Sequence, residues 1–159
     1  MRKYGIVTYS PEYRGDFIRF NREWIERFFR IETCDEKVFA DPEREIIDKG
    51  GQIFIAVEDG KPVGCCALIY HPDSDEYELA KMAVAPAAQN RGIGRSLATA
   101  LIKYARRHGA ESIFLEANTR LEASVRLYRK LGFKAVKDYV PAYERCDLFM
   151  RLTLNRDEE

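Results

Sequence analysis

Between Glu78 and Lys137 the chain alternates strand, helix, strand, helix and strand, and this alternation limits its fold more than any other feature. Glu78–Val84 is a strand-like run closed by Pro86. Ile93, Leu97, Leu101, Tyr104 or Ala105, and His108 then mark a helix over 92–108 that Gly109 stops. Ser112–Ala117 is strand-like. Thr119-x-x-Glu122 has the form of a capping box opening a helix through Leu127, Tyr128 and Leu131, which Gly132 ends before a strand over Phe133–Lys137. Strands joined through helices pair in parallel. Upstream, Gln52–Glu58 and Val63–Tyr70 flank Asp59-Gly60, a two-residue hairpin signal that requires antiparallel pairing. A sheet that satisfies both is mixed, with helices on both faces.

The remaining elements complete an α/β chain. Residues 5–8 form a short strand, and Ser10-Pro11 has the form of an N-cap with proline at the first helical position. Phe17, Phe20, Trp24, Phe28 and Ile31 recur at helical spacing, which predicts one long amphipathic helix over 12–31. Asp41-Pro42 opens a short helix through Ile46 and Ile47, and Gly50-Gly51 stops it. His71–Asp75 is a loop, and Asp147–Leu154 is the last strand. The expectation is a central mixed sheet of about seven strands flanked by about four helices, in a single domain over 1–154 with a polar tail over 155–159.

Charge and composition exclude several classes. Twenty-six basic residues balance 26 acidic ones, so the chain lacks the basic excess that nucleic acid or an anionic membrane favours. No apolar run approaches the ~18 residues of a membrane-spanning helix, and the first residues lack the length of a signal peptide. Cys34, Cys65, Cys66 and Cys146 form no Cys-x-x-Cys pair, which fits a reduced, cytoplasmic setting. Cys65 and Cys66 are adjacent in a strand, so they should face opposite sides as small buried hydrophobes. With only His71 and His108 beside them, no metal site is expected.

The chemistry concentrates in Gln89-Asn90-Arg91-Gly92-Ile93-Gly94-Arg95-Ser96, between a strand and a helix. Two glycines let the backbone curl tightly, and the helix start aims unpaired N–H groups at one point, as a phosphate or pyrophosphate requires. Between Leu79 and Ala110 the charged residues are all basic (Lys81, Arg91, Arg95, Lys103, Arg106, Arg107), whereas Asp73, Asp75, Glu76 and Glu78 precede them. An anion-friendly block thus adjoins a cation-friendly one, although solvated faces would look the same. Leu97 stands where a dinucleotide fingerprint needs its third glycine, and Arg95 stands where a P-loop needs lysine.

The loop does resemble the Gln/Arg-x-x-Gly-x-Gly/Ala signature of the GCN5-related N-acetyltransferase (GNAT) superfamily. Glu78–Pro86 looks like that family's fourth strand, and Asn118 with Leu127–Phe133 looks like its fifth-strand end and fourth helix. The resemblance is strong over 52–137, and the element order extends it over nearly the whole chain. It implies a GNAT-like fold and acetyl-CoA as cosubstrate. The pyrophosphate would lie on the backbone of Gln89, Asn90, Arg91, Gly92, Ile93, Gly94, Arg95 and Ser96. The pantetheine arm would add along Met82, Ala83 and Val84, where the strands at 78–84 and 112–117 splay. Asn118 would hydrogen-bond the arm, or serve only as a cap or turn residue.

Direct attack of an amine on the acetyl group, through a tetrahedral intermediate, raises three demands. A lysine-like amine with pKa about 10.4 must lose a proton. The oxyanion needs a donor, for which the Val84 N–H is the candidate. The departing thiolate needs a proton, which the Tyr128 phenol can supply, as a tyrosine at this place does in many family members. Glu78 lies where the family's histone acetyltransferases hold a general base, and strand alternation would put it on one face with Ala80, Met82 and Val84. A water chain is the alternative base, and core packing is the alternative role for Tyr128. The acceptor, a small molecule or a protein amine, would enter near Phe28, Phe29, Glu32, Asp35, Tyr139, Tyr143 and Glu144. A homodimer is compatible with this arrangement. The competing function is a non-catalytic acyl-CoA-binding or sensor domain on the same fold, which would need neither Tyr128 nor Glu78.

Overall fold

The computed structural model describes residues 3–154; the expected tail over 155–159 lies outside them. Seven strands form one sheet: β1 (Tyr4–Thr8), β2 (Gln52–Glu58), β3 (Lys61–His71), β4 (Glu76–Val84), β5 (Ser112–Ala117), β6 (Lys134–Ala135) and β7 (Leu148–Thr153). Their order is β1-β2-β3-β4-β5-β7-β6. β2 and β3 form the antiparallel hairpin that Asp59-Gly60 signals, with φ of 50° and 76° at the two turn residues. β4 and β5 are parallel. β7 inserts antiparallel between β5 and β6, so β5 and β6 run the same way without touching.

Four α-helices cover the sheet: α1 (Arg14–Phe28), α2 (Thr33–Ala40), α3 (Ile93–Arg107) and α4 (Glu122–Lys130). α3 and α4 bury Leu97, Leu101 and Tyr128 on one face, against Cys66, Leu68, Ile113, Leu115 and Met150. α1 buries Phe17 and Phe20 on the other, against Ile53, Ile55, Cys65, Ala67 and Ala83. Cys65 and Cys66 therefore do face opposite layers, both fully buried, and all four thiols are free.

Several local expectations are corrected. The helix over 12–31 is instead a 3-10 turn at Pro11–Tyr13 followed by α1, which stops at an extended Phe29 (φ −146°, ψ −152°). Then α2, absent from the sequence reading, opens on a capping box in which Glu32 caps the helix and Asp35 Oδ2 accepts the Glu32 N–H at 2.9 Å. Glutamate is an uncommon N-cap, which is why a search for Ser, Thr, Asp or Asn passes over it. The segment after Asp41-Pro42 is a π-turn over Glu43–Ile47. Thr119 is not a cap: its Oγ1 donates to Asp147 Oδ2 at 2.7 Å, and Leu121, which has no capping side chain, occupies the N-cap of α4. The strand over Phe133–Lys137 contracts to two residues.

One correction bears on chemistry. β4 carries one extra residue opposite β3, since Cys65 pairs with Ala83 but Ala67 pairs with Ala80, and Lys81 sits in the bulge at φ 54°. The alternation therefore breaks. Glu78 and Lys81 face the α1–α2 side, whereas Met82 and Val84 pack on the α3–α4 side and do not share a face with Glu78.

Gly51 leads into β2 at a point where a Cβ would lie 2.1 Å from the Leu68 carbonyl oxygen and 3.0 Å from that of Ile46. Gly51→Ala should cost at least the ~1–3 kcal/mol typical of overpacking. Gly5→Ala, which meets nothing within 4 Å, should stay within ~0.5 kcal/mol of wild type in urea denaturation.

Candidate active site

β4 and β5 pair only at Tyr77–Ile113 and Glu78–Phe114. Beyond Glu78 the two strands separate, and a cavity of about 690 Å³ opens between them. Ala85 N–H donates to Val63 O on the β3 side at 2.8 Å. Donors alternate along a strand, so the Val84 N–H faces the opposite way, into the gap. Beyond Glu78 this strand edge pairs with no other strand among the described residues.

The glycine loop closes one end of the cavity. Asn90 (φ 63°) and Gly92 (φ 81°) take left-handed conformations that turn the chain into α3, and a Cβ on Gly92 would meet nothing within 4 Å. The first turn of α3 closes through Ser96 N–H to Gly92 O at 3.1 Å. The N–H groups of Ile93, Gly94 and Arg95 are left without intrahelical acceptors at the positive end of the helix. An extended ligand with an anionic group fits this combination of unpaired strand edge, helix start and open space.

Most of the residues singled out in the sequence converge here. Glu78, Met82, Ala83, Val84, Gln89, Asn90, Gly92, Ile93, Gly94, Arg95, Asn118 and Tyr128 all line the cavity. Arg91 and Ser96 do not: the Arg91 guanidinium grips the Glu58 carboxylate on β2, and Ser96 Oγ shares a 2.7 Å hydrogen bond with Tyr4 Oη on β1. Gln89 Nε2 donates to Val84 O at 3.1 Å, tying the loop to β4. Asn118 Nδ2 donates to Arg145 O at 2.6 Å and its Oδ1 accepts the Arg120 N–H at 2.8 Å, so it is a turn residue that also borders the cavity. Tyr128 is buried edge-on to Phe133, and its hydroxyl has no hydrogen-bond partner among the described residues. Burial pushes its pKa well above that of a free phenol, so it stays protonated.

Glu78 is buried, and its Oε1 lies 2.9 Å from His71 Nε2. That hydrogen bond raises the His71 pKa above the usual histidine value, against the opposing effect of burial. Local sequence carries no sign of this pairing, because His71, expected in a loop, ends β3 and reaches Glu78 only through the β3–β4 register.

A buried charge network was also missed. Asp35, with no solvent exposure, accepts from Lys81 Nζ at 2.6 Å and from Arg145 Nη1 and Nη2 at 2.6 and 2.8 Å. Arg145 also reaches Glu32 Oε2 at 3.1 Å, and Lys81 donates to Tyr143 Oη at 3.2 Å. Lys81 is therefore not part of an anion-attracting surface block. Burial alone would push the Asp35 carboxyl up; the Arg145 hydrogen bonds and the Lys81 charge outweigh it and hold the pKa at about 2.

Residues 18–133 match the family model described as the Acetyltransferase (GNAT) family. An uncharacterised N-acetyltransferase of Schizosaccharomyces pombe is 26% identical over 152 residues, 92% of this chain and 91% of that protein. A 66-residue stretch is 39% identical to an uncharacterised Mycobacterium leprae protein, covering 42% of this chain and only 18% of the other. Among solved structures, a GNAT-family acetyltransferase of Staphylococcus aureus superposes with a TM-score of 0.86 at 21% identity, over 96% of this chain and all of that one (100%). The PaiA N-acetyltransferase of Thermoplasma acidophilum, solved in complex with coenzyme A, gives 0.75 at 18% identity over 96% and 99%. At such identities these structures speak for the fold.

Because its folded pKa is depressed, Asp35 contributes stability that is fully present above its ordinary value of 3.8 and is lost as pH falls through about 2. Asp35→Asn should cost about 3–5 kcal/mol at neutral pH, the penalty for stranding buried cations. In urea melts that difference should shrink between pH 4 and pH 2; a constant difference would show that the carboxylate charge is not what Asp35 contributes.

Proposed function

The chain belongs to the acetyltransferase (GNAT) family, and from that premise we propose that it transfers the acetyl group of acetyl-CoA to a primary amine by direct attack. The observation that carries this is the unpaired edge of β4 running into the start of α3, a lane whose chemistry suits an extended arm ending in a pyrophosphate. Bound there, acetyl-CoA would supply the activated thioester.

The backbone of the 89–96 loop holds the pyrophosphate in this proposal, with Arg91 and Ser96 contributing main chain while their side chains brace the loop on β2 and β1. Met82, Ala83 and Val84 offer the strand edge to the pantetheine. Asn118 keeps one amide N–H for it, since only the other is given to Arg145 O. The Val84 N–H stabilises charge on the acetyl oxygen. Tyr128 gives its proton to the departing sulfur; its raised pKa keeps that proton available at neutral pH. Glu78 takes the amine proton, directly or through one water, with His71 fixing the carboxylate. The four free thiols fit a cytoplasmic setting.

Release of free thiol from acetyl-CoA across a panel of amines tests the proposal; an acyl-CoA sensor would bind and release none. Tyr128→Phe should lower kcat by ~10²–10⁴ with acetyl-CoA affinity unchanged, and unaltered turnover would leave Tyr128 a packing residue.

The rate should rise with pH along a limb set by the base or the bound amine, and Glu78→Gln should depress that limb. A raised KM at constant kcat would instead make Glu78 an amine-attracting group, with water as the base.

A further inference from the structure

The acceptor end of the cavity presents both hydrogen-bond acceptors and one uncommitted donor. Glu116 lies two residues beyond Phe114, the partner of Glu78, so the two carboxylates share the α1–α2 face of adjacent strands. Glu78 is tied to His71, and Glu116 accepts the Ala142 N–H at 2.8 Å. Neither forms an ion pair with a lysine or arginine among the described residues, although the Arg145 charge reaches Glu116 and favours its ionised form.

Tyr143 lines the same cavity and is only 9% exposed. Its oxygen accepts from Lys81 Nζ at 3.2 Å, Lys81 is itself held by Asp35, and the Arg145 guanidinium lies 4.4 Å from the ring centroid. An ammonium can only donate. The Tyr143 O–H proton must therefore be given to something else, and none of the described residues accepts it. Burial, with the Glu78 charge, keeps this hydroxyl protonated. Trp24, Phe28 and Phe29 form an apolar wall beside these polar groups.

A simple alkylamine would satisfy the carboxylates and leave the Tyr143 proton unused. A group that carries an oxygen next to the amine satisfies both. We propose that the acceptor is an α-amino carbonyl compound, its amine received by Glu78 and Glu116 and its carbonyl or carboxylate oxygen by the Tyr143 O–H. This rests on the acetyl-transfer reading of the same cavity. In the step, the amine nitrogen bonds the acetyl carbon, the carbon–sulfur bond breaks, one amine proton passes to Glu78, and the sulfur takes a proton from Tyr128. For a peptide N-terminus the chemistry of the amine agrees: with a pKa about 8 it is about one-tenth neutral at pH 7, against about one in a few thousand for a lysine. A carboxylate already shared with His71 has correspondingly less to do.

The test compares kcat/KM for L-phenylalanine, a tripeptide with N-terminal phenylalanine, 2-phenylethylamine and Nα-acetyl-lysine, alongside calorimetric binding of acetyl-CoA. At least one α-amino carbonyl substrate should exceed 2-phenylethylamine by ~10-fold or more, because a site built to donate to an oxygen rejects the analogue lacking it. Turnover of the free amino acid or of the peptide identifies which source supplies the group. Tyr143→Phe, which deletes only the hydroxyl, should remove that preference, lowering kcat/KM for the α-amino carbonyl substrate by ~10-fold more than for 2-phenylethylamine. Equal or better turnover of 2-phenylethylamine or Nα-acetyl-lysine by the wild type overturns the inference, as does an equal loss on every substrate in Tyr143→Phe. Acetyl-CoA binding without turnover of either α-amino substrate overturns it while leaving the cosubstrate site standing; no acetyl-CoA binding removes the transferase reading itself.

Discussion

Asp35 is a carboxylate without solvent contact that holds two cations, and the packing of α2, the β4 bulge and the segment before β7 depends on it. Lys81 comes from the β4 bulge, Arg145 from the segment before β7, and Asp35 from the first turn of α2. No backbone ladder joins these three segments at this point. Burying Asp35 and Lys81, with Arg145 and Glu32 half-buried beside them, is expensive unless each is paired and hydrogen-bonded, and here each is. The arrangement fixes where the Tyr143 hydroxyl sits and holds a lysine in a left-handed conformation that non-glycine residues seldom adopt.

The bulge divides β4 into two jobs. Before it, Glu78 faces α1 and α2 beside His71 and Glu116; after it, Met82 and Val84 face α3 and α4, toward Tyr128. A regular strand would have put all of these on one face, as the sequence reading expected. With the extra residue, Glu78 and the carboxylate of Glu116 lie on one side of the sheet and Met82 and Val84 on the other, with the backbone edge of β4 between them.

The sheet and the helices α3 and α4 were legible because their signals are local: Asp59-Gly60 for the hairpin, two glycines and a periodic apolar face for α3, Gly132 for the end of α4. The position of the glycine loop between β4 and α3 was legible for the same reason. Glu32 and Asp35 were named only as part of an acceptor rim, because Glu32 is an unusual cap and the partners of Asp35 lie 46 and 110 residues away. Lys81 misled as a surface charge, since nothing adjacent to it in sequence reveals its burial. Thr119 misled in the opposite sense: its spacing to Glu122 satisfied a local rule, but Asp147, 28 residues on, took its hydroxyl.

The separation of β4 from β5 also bears on solubility. Unpaired strand backbone normally sits at the rim of a sheet, where it can recruit a strand from another molecule and seed aggregation. Here the open edge is enclosed by neighbouring strands on two sides and by helices over both faces. A foreign sheet cannot dock alongside it, whereas a thin, flexible chain can thread in lengthwise. The protein thus keeps an adhesive backbone surface in its interior, out of reach of other copies of itself.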